Sequence, residues 1–404
     1  MIVFRLSKRN RYSIVALTAA LESRGFKEYE VVSSLEEIFD FDPSSTTVAY
    51  SLMTFDVPEV LEEVKILKER GYTLIAGGPH PTADPKGMLD AGFDYVFAGD
   101  GEENLLKYIQ GERPKSRVFD GLSRRVNLDE YPPFNVWRGM FMPVEISRGC
   151  PFRCGYCFTP IIGGGRMRYR SVETVLEYAK KGVEMGRKVA RFIASNSFGY
   201  MSKNGVEPNL QKIEELLFGL KKVGMEEIYF GTFPSDVRPE SVTHEVLRLI
   251  KKYVNNRSLI IGAQTGSERV LKIINRGHTI ERVERAIEIA TLEGFTPHVD
   301  FIFGFPFETD EDVEETFRFI ERIVRKYGAK IHAHTFMPLP GTPLAKYGPG
   351  RLTRKHLKVL GYLSAKGIVD GYWHKQQELA RIAGRFTSSA CPSCTSQRPV
   401  SPSR

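Results

Sequence analysis

The chain has no apolar run approaching the roughly 20 residues that cross a bilayer, so no membrane span is expected in its 404 residues. Cysteine is scarce. The five present are too few, and wrongly spaced, for a secreted disulfide scaffold. The N-terminus, Met1-Ile-Val-Phe-Arg-Leu-Ser-Lys-Arg-Asn10, puts its apolar run before its charges, the reverse of a secretory signal. Charge is not concentrated either. A net charge of +8 would favour an acidic partner such as RNA or an acidic protein surface. The basic residues are spread along the chain, however, which suits a solvated Lys/Glu-rich surface better than a nucleic-acid site. The length and ordinary apolar fraction allow two domains, or one barrel with an extension.

Three of the five cysteines fall in one loop. The segment Glu145-Ile-Ser-Arg-Gly-Cys-Pro-Phe-Arg-Cys-Gly-Tyr-Cys-Phe-Thr-Pro160 sets Cys150, Cys154 and Cys157 in C-x3-C-x2-C spacing. Three thiolates leave a tetrahedral structural zinc site one ligand short, and no further Cys or His lies nearby in the sequence. Three thiolates do suffice for three irons of a [4Fe–4S] cluster, leaving the fourth iron open to a small molecule. Chance clustering, or a disulfide with one free thiol, fits the setting less well. The loop directly follows a strand-like run at 142–146 and precedes a helix expected from about Ser171. An oxygen-sensitive cluster suits a reducing compartment, so the expected localisation is cytoplasmic.

The fold class expected is α/β. Residues 1–112 alternate strands, read at 2–6, 28–32, 46–52, 72–76 and 95–98, with helices at 14–24, 58–70 and 102–110. This reads as a small, doubly wound, Rossmann-like parallel sheet, with ligands expected at the carboxyl ends of its strands. Gly77-Gly-Pro-His-Pro-Thr-Ala-Asp-Pro85 and Gly99-Asp-Gly-Glu-Glu103 lie there. Residues 113–141, weak in periodicity and containing Pro132-Pro133, read as a linker. Residues 142–347 give six strand–helix repeats, with strands at 143–147, 190–194, 227–233, 259–264, 297–303 and 330–336. These fit a partial (β/α)6 TIM-like barrel whose function gathers on the loops after the strands. The cysteine loop follows the first of them. Residues 348–386 read as a helical extension, including Trp373-His-Lys-Gln-Gln377, and 387–404 as a disordered Ser/Pro/Thr-rich tail.

The cysteine motif, with the aromatic Tyr156 before its last Cys, resembles the radical S-adenosylmethionine (SAM) superfamily. In that family the open iron chelates SAM, and one electron cleaves it to methionine and a 5′-deoxyadenosyl radical. The strand ends extend the likeness over about 200 residues. Ala194-Ser-Asn-Ser-Phe-Gly199 stands where the family contacts the SAM amino group, with Ser195 and Asn196 in place of a common acidic residue. Ile261-Gly-Ala-Gln-Thr-Gly-Ser-Glu268 resembles the segment through which Gln264 and Thr265 would bind the ribose or SAM carboxylate. Asp300-Phe-Ile-Phe-Gly-Phe-Pro-Phe-Glu-Thr309 resembles the G-x-P-x-E element, where backbone at Phe303 and Gly304 would flank adenine. Phe336-Met-Pro-Leu-Pro-Gly-Thr-Pro343 resembles the P-x-P-G-T-P of the methylthiotransferase and cobalamin-dependent branches.

The N-terminal domain resembles the cobalamin-binding domain of one radical SAM branch. Gly77, Gly78, His80 and Thr82 match its G-G-x-H-x-T segment, Gly99-Asp-Gly-Glu its G-x-G-E, and Ser51 the serine that faces the cobalamin tail. The D-x-H-x-x-G element, whose His ligates cobalt from below, is absent. That region reads Arg5-Leu-Ser-Lys-Arg-Asn-Arg-Tyr12, and no His precedes His80. Either cobalamin binds without a protein histidine, or the domain kept the fold and lost the cofactor.

The resemblance implies a radical SAM enzyme that functionalises an unactivated carbon, by C-methylation if cobalamin is bound. A reductant such as ferredoxin or flavodoxin would serve it. The substrate class left open is a protein side chain, a lipid or a small metabolite, with RNA the weaker match. Two alternatives stand beside it: methylthiolation of tRNA, and a non-catalytic iron–sulfur sensor. Methylthiotransferases carry three N-terminal cysteines, and here none precedes Cys150. His332 and His334 share one face of a strand. With no carboxylate or Cys partner evident, they read as lumen or core residues rather than metal ligands, open to substrate contact or proton transfer. Cys391-Pro-Ser-Cys394 is half a zinc site, a second-cluster ligand, a redox dithiol or a functionless pair.

Overall fold

Residues 1–387 are described in the computed structural model of the chain. The expected disordered tail, with Cys391 and Cys394, lies outside the described residues. Strands β1 (Ile2–Arg5), β2 (Tyr29–Val32), β3 (Thr47–Ser51), β4 (Thr73–Gly77), β5 (Tyr95–Gly99) and β6 (Val118–Gly121) form one parallel sheet in the order β2-β1-β3-β4-β5-β6. Their runs are apolar because both faces are covered. Val3, Val48, Leu74 and Val96 enter one core, and Phe4, Ala49, Ile75 and Phe97 the other. Strand order reverses at β1. The carboxyl ends of β1 and β3 therefore flank a crevice, the place where such sheets bind ligands.

β6 corrects the expectation of a linker over 113–141. It is only four residues long, Val-Phe-Asp-Gly, with Asp120 exposed, so it carries almost no period-2 signal. Its pairing needs glycine. A Cβ on Gly121 would lie 2.2 Å from the Asp100 carbonyl oxygen. The N-terminal sheet therefore runs past residue 112, to Gly121. The following segment is also packed, since Arg170 Nη1 donates to the carbonyl oxygens of Leu128 and, at 2.5 Å, Tyr131.

All six expected barrel strands are present: β7 (Val144–Glu145), then, after a short antiparallel hairpin of β8 (Ser147–Arg148) and β9 (Arg168–Tyr169), β10 (Val189–Ile193), β11 (Glu227–Tyr229), β12 (Ser258–Gln264), β13 (Thr296–Phe303) and β14 (Lys330–Thr335). They pair in parallel, with irregular bonding between β11 and β12 carried by Ile260 N to Gly231 O (3.0 Å) and Val237 N to Ile260 O (2.9 Å). Helices such as Val172–Glu184, capped by Ser171, and Leu210–Lys222 bury one apolar face on the strands. The extension is not wholly helical. A short strand, β15 (Val369–Asp370), adds to β14 between helices Arg354–Ala365 and Trp373–Gly384. Gly367 and Gly371, at φ +64° and +105°, break the helix there.

The last helix ties the domains together. Gln376 Oε1 accepts Thr335 N at 2.8 Å, and beyond the helix the Phe386 ring meets His80 edge-on at 5.1 Å. His80 is fully enclosed, and its Nδ1 lies 3.3 Å from Thr54 Oγ1. Burial pushes His80 down to about 4, and buried His356 likewise to about 4. A lowered folded-state value means that stability is complete above the unfolded value near 6.5 and is lost as pH falls toward 4. The denaturation midpoint of His80→Gln is therefore expected to fall less than that of the wild type across that window.

Candidate functional site

The cysteine loop is the turn of the β8/β9 hairpin, in which Arg148 and Arg168 stand directly opposite. Like charges so placed repel. Asp100, from the N-terminal domain, resolves the conflict by accepting Arg148 Nη1 (3.1 Å) and Arg168 Nη1 (2.6 Å). Glu102 and Glu145 take Arg148 Nη2, each at 2.7 Å. Burial alone would raise the Glu102 carboxyl, but the charge and hydrogen bonds of Arg148 hold it below its ordinary value. The Gly99-Asp-Gly-Glu segment thus clamps the base of the cysteine loop.

Within the loop Cys150, Cys154 and Cys157 are free thiols, with Cys154 buried. Gly149, at φ +94°, turns the chain into the loop where a Cβ would sit 2.3 Å from Arg166 O. Gly155 is gripped from two sides. Its N–H donates to Ile274 O (2.8 Å), and its carbonyl accepts Leu344 N (2.9 Å) from the Pro-Gly-Thr-Pro segment. Tyr156 packs with Phe305 and Leu344, so the last strand ends hold the loop's inner side.

Two arginines that sequence reasoning missed complete this wall. Arg276 Nη1 lies 3.6 Å and Arg238 Nη1 3.9 Å from Cys154 Sγ. Arg238 also lies 3.4 Å over the Phe152 ring and bonds Glu240 (2.7 Å). Burial would lower Arg276, yet the charges of Tyr156 and Cys154 hold it above its ordinary value. The Nε atoms of both arginines are buried without a partner. Three soft donors from one loop, backed by two buried cations with spare N–H groups, fit an anionic thiolate-bound iron–sulfur cluster. No local pattern marks Arg238 or Arg276. Their only sequence signal is position, in the connections that follow β11 and β12.

The expected SAM contacts divide. Ser195 Oγ donates to Gly149 O (2.6 Å), at the loop's entry. Gln264 stands at φ +78°, a conformation a non-glycine residue adopts only under constraint, typically at a functional site. The others are engaged internally. Asn196 spends its amide on Gly205 O (2.9 Å), Ser241 Oγ (2.7 Å) and Arg238 N (3.2 Å). Thr265 is fully buried against Thr316 Oγ1 (3.1 Å). The Phe303 carbonyl accepts Phe336 N (3.0 Å), and Gly304 N–H donates to Glu308 Oε2 (2.9 Å). Asn196, Thr265, Phe303 and Gly304 thus build the strand ends rather than present free polar groups.

A cavity of about 440 Å³ opens between the domains. Its walls are the strand ends of the N-terminal sheet, including Ser51, Gly77 and Gly78, the two ends of the cysteine loop at Gly149 and Thr159, and Ser195 after β10; none of the three cysteines lines it. Gly78, at φ +97°, lies so close to β3 that a Cβ would be 2.9 Å from Ser51 Oγ. The lining is largely apolar and of ordinary ligand-site size. Among the described residues no histidine lines it. Tyr12, from the segment where the D-x-H-x-x-G histidine would fall, does so instead. A large flat cofactor fits there only without a histidine ligand from this chain.

These features define the class. The sequence profile of the radical SAM superfamily matches residues 144–320, and that of the B12 binding domain residues 10–108. The chain thus carries a radical SAM domain and, before it, a B12-binding domain. A tRNA-2-methylthio-N(6)-dimethylallyladenosine synthase of Ruegeria sp. is 30% identical over 257 residues, covering 62% of this chain and 52% of that protein. Two solved structures share the fold. One is the cobalamin-dependent S-adenosylmethionine radical enzyme OxsB with aqua-cobalamin bound (TM-score 0.65, 17% identity, 91% of this chain and 57% of that one). The other is the radical S-adenosylmethionine methyltransferase TsrM from Kitasatospora setae with cobalamin and [4Fe-4S] cluster bound (TM-score 0.61, 18% identity, 90% and 78%). The chain thus spans about half the length of the synthase and 57% of OxsB.

The arginine pair sets a test. Hydrogen bonds to a charged group are worth about 1.5–3 kcal/mol, or about 60–130 mV for one electron. Arg276→Ala is expected to lower the cluster potential by about that much, with Arg276→Lys intermediate, in an electron-paramagnetic redox titration. Equal potentials in all three proteins would contradict the role given to Arg276.

Proposed function

We propose that this chain is an enzyme that cleaves SAM reductively at a [4Fe–4S] cluster on Cys150, Cys154 and Cys157. With cobalamin in the interdomain cavity, it would C-methylate an unactivated carbon. One observation carries the reading: a single cavity is walled on one side by the B12-binding-type strand ends and on the other by the two ends of the cysteine loop. Bound, the cluster and SAM supply a radical hydrogen abstractor, and cobalamin a transferable methyl group.

The chain's own residues position and protect. The three thiols hold the cluster at a loop fixed by Asp100 below and Leu344 inside. Arg276 and Arg238 offset its negative charge without solvent, where charge pairing is strong. Tyr156, Phe305 and Leu344 keep water from the loop's inner face. Gln264, held at its strained turn, and Ser195 are the polar groups we assign to SAM. Ser51, Gly77 and Gly78 are assigned to the cobalamin side. A one-electron reductant such as ferredoxin or flavodoxin would serve the cluster.

The Ruegeria relative favours a second reading, methylthiolation of RNA. The absence of any cysteine before Cys150 counts against it. A sensor without SAM cleavage would leave the cavity with no part to play.

The test uses SAM labelled in its methyl group, reductant, and the protein with or without added cobalamin. Reduced protein is expected to form 5′-deoxyadenosine. Ala16 is helical and lines the cavity, so Ala16→Trp should block the cobalamin-dependent release of S-adenosylhomocysteine while leaving the iron content unchanged. No 5′-deoxyadenosine from wild-type protein sinks the enzyme reading. Equal cobalamin dependence in Ala16→Trp sinks the assignment of the cavity.

A further inference from the structure

Inside the barrel a second group of reactive side chains converges, outside the cysteine loop and the cavity. β13 and β14 are in register, with Asp300 opposite His332 and Ile302 opposite His334. Val299, Phe301, Ile331 and Ala333 enter the core beneath the helices. Alternation therefore turns Asp300, His332 and His334 to the opposite face, the barrel interior. The carboxylate partner that the sequence did not reveal comes from the neighbouring strand. His332 Nδ1 lies 3.1 Å, and His334 Nε2 4.0 Å, from Asp300 Oδ1. One donor atom from each residue falls within 4.8 Å of the others, a spacing that a metal ion also requires.

Hydrogen-bond accounting separates metal from proton. Gln376 Oε1 accepts Thr335 N at 2.8 Å, so the Gln376 amide nitrogen faces His334 Nδ1, at 3.2 Å, as a donor. His334 Nδ1 must then accept, which puts its proton on Nε2, toward Asp300. That nitrogen has no lone pair left for a metal. His332 Nδ1–H donates a hydrogen bond to the same carboxylate. Its Nε2 is left with a lone pair and, among the described residues, no hydrogen-bond partner. An imidazole held through Nδ1 by a buried carboxylate, with Nε2 presented, is the arrangement of a general base. Gly371 makes room for the ring, since a Cβ there would lie 3.0 Å from His332 Cδ2. Nearby, Asp236 Oδ1 is buried with no partner of its own, and burial and the Asp300 charge push its carboxyl up to about 7, so its charged form lacks a donor.

We propose that His332, positioned by Asp300, is the proton acceptor for substrate in the barrel interior, and that Asp236 Oδ1 accepts a hydrogen bond from a nitrogen of the same substrate, so that the substrate carries an ammonium, guanidinium or heteroaromatic N–H group. In this step His332 Nε2 takes one proton from an ammonium or heteroaromatic nitrogen; a guanidinium, too weak an acid for an imidazole, would be held there by hydrogen bonds alone. The bond electrons stay on the substrate atom, and the imidazolium pairs with the Asp300 carboxylate. No oxidant or reductant enters. The substrate role rests on the proposed enzyme reading, but the histidine geometry does not.

Diethyl pyrocarbonate labelling of the whole protein, mapped by mass spectrometry across pH, tests it without SAM or cobalamin. His332 is expected to label faster than His334. The groups facing it are His298 and Asp300 on β13, His334 on β14, Asp370 on β15, and Asp236. The Asp300 hydrogen bond and the surrounding carboxylates should place its titration midpoint above that of free histidine, and in the isosteric Asp300→Asn the midpoint should fall back toward it. Methylguanidinium should protect His332 in the wild type and fail to in Asp236→Asn. Slow labelling of His332, or an unmoved midpoint, would overturn the base. Protection by zinc chloride but not by methylguanidinium would overturn it in favour of a metal site. A failed methyl-transfer assay would leave the labelling result standing.

Discussion

The Asp100 carboxylate is the hinge on which the architecture turns. It sits at the end of β5 in one domain and neutralises two arginines that face each other across the neck of the cysteine loop in the other. Remove it and Arg168 loses its carboxylate partner, while Arg148 keeps only Glu102 and Glu145. Truncating one partner of such a network typically costs about 3–5 kcal/mol, because it strands the remaining charge. The network therefore does more for register than for net stability. It fixes the loop that carries the thiols against the strand ends of the other domain. The cavity between them owes its shape to that registration.

Two consequences meet at this junction. The N-terminal sheet reverses order at β1, so its ligand crevice opens at the carboxyl ends of β1 and β3. The barrel places its own reactive loop after its first strand, β7. The clamp makes these two openings one space. A second tie, the helix Trp373–Gly384, reaches from β14 to the His80 side of the N-terminal domain. His80, in a segment that resembles a cofactor motif, proves to be a packing residue of this tie.

Much of this was legible in the sequence, and what was not has physical reasons. The long apolar strands and amphipathic helices could be read because burial on one or both faces leaves a periodic signature. β6 could not, because four residues with one exposed Asp and a terminal Gly carry no period. The cysteines were legible because their spacing is local chemistry. Arg238 and Arg276 were not, because only the closed fold brings them to Cys154. Residues read as ligands by their place at strand ends divided according to hydrogen-bond supply. Asn196 and Thr265 are consumed by neighbouring loops and a helix, whereas Gln264 sits at a strained φ. The Asp300 partner of His332 lies 32 residues away in the chain, so no spacing rule joins them, although adjacent strands in register do.

The central claim is that one chain brings a three-thiolate iron–sulfur cluster and a corrinoid to the same interdomain space. Iron and cobalt analysis, with the visible spectrum, of protein purified anaerobically from cobalamin-supplemented cells tests it most directly. The account predicts about four irons and one cobalt per chain, the cobalt in a form without a histidine ligand. Four irons without cobalt would contradict the cavity's role, and absence of iron after reconstitution would contradict the account as a whole.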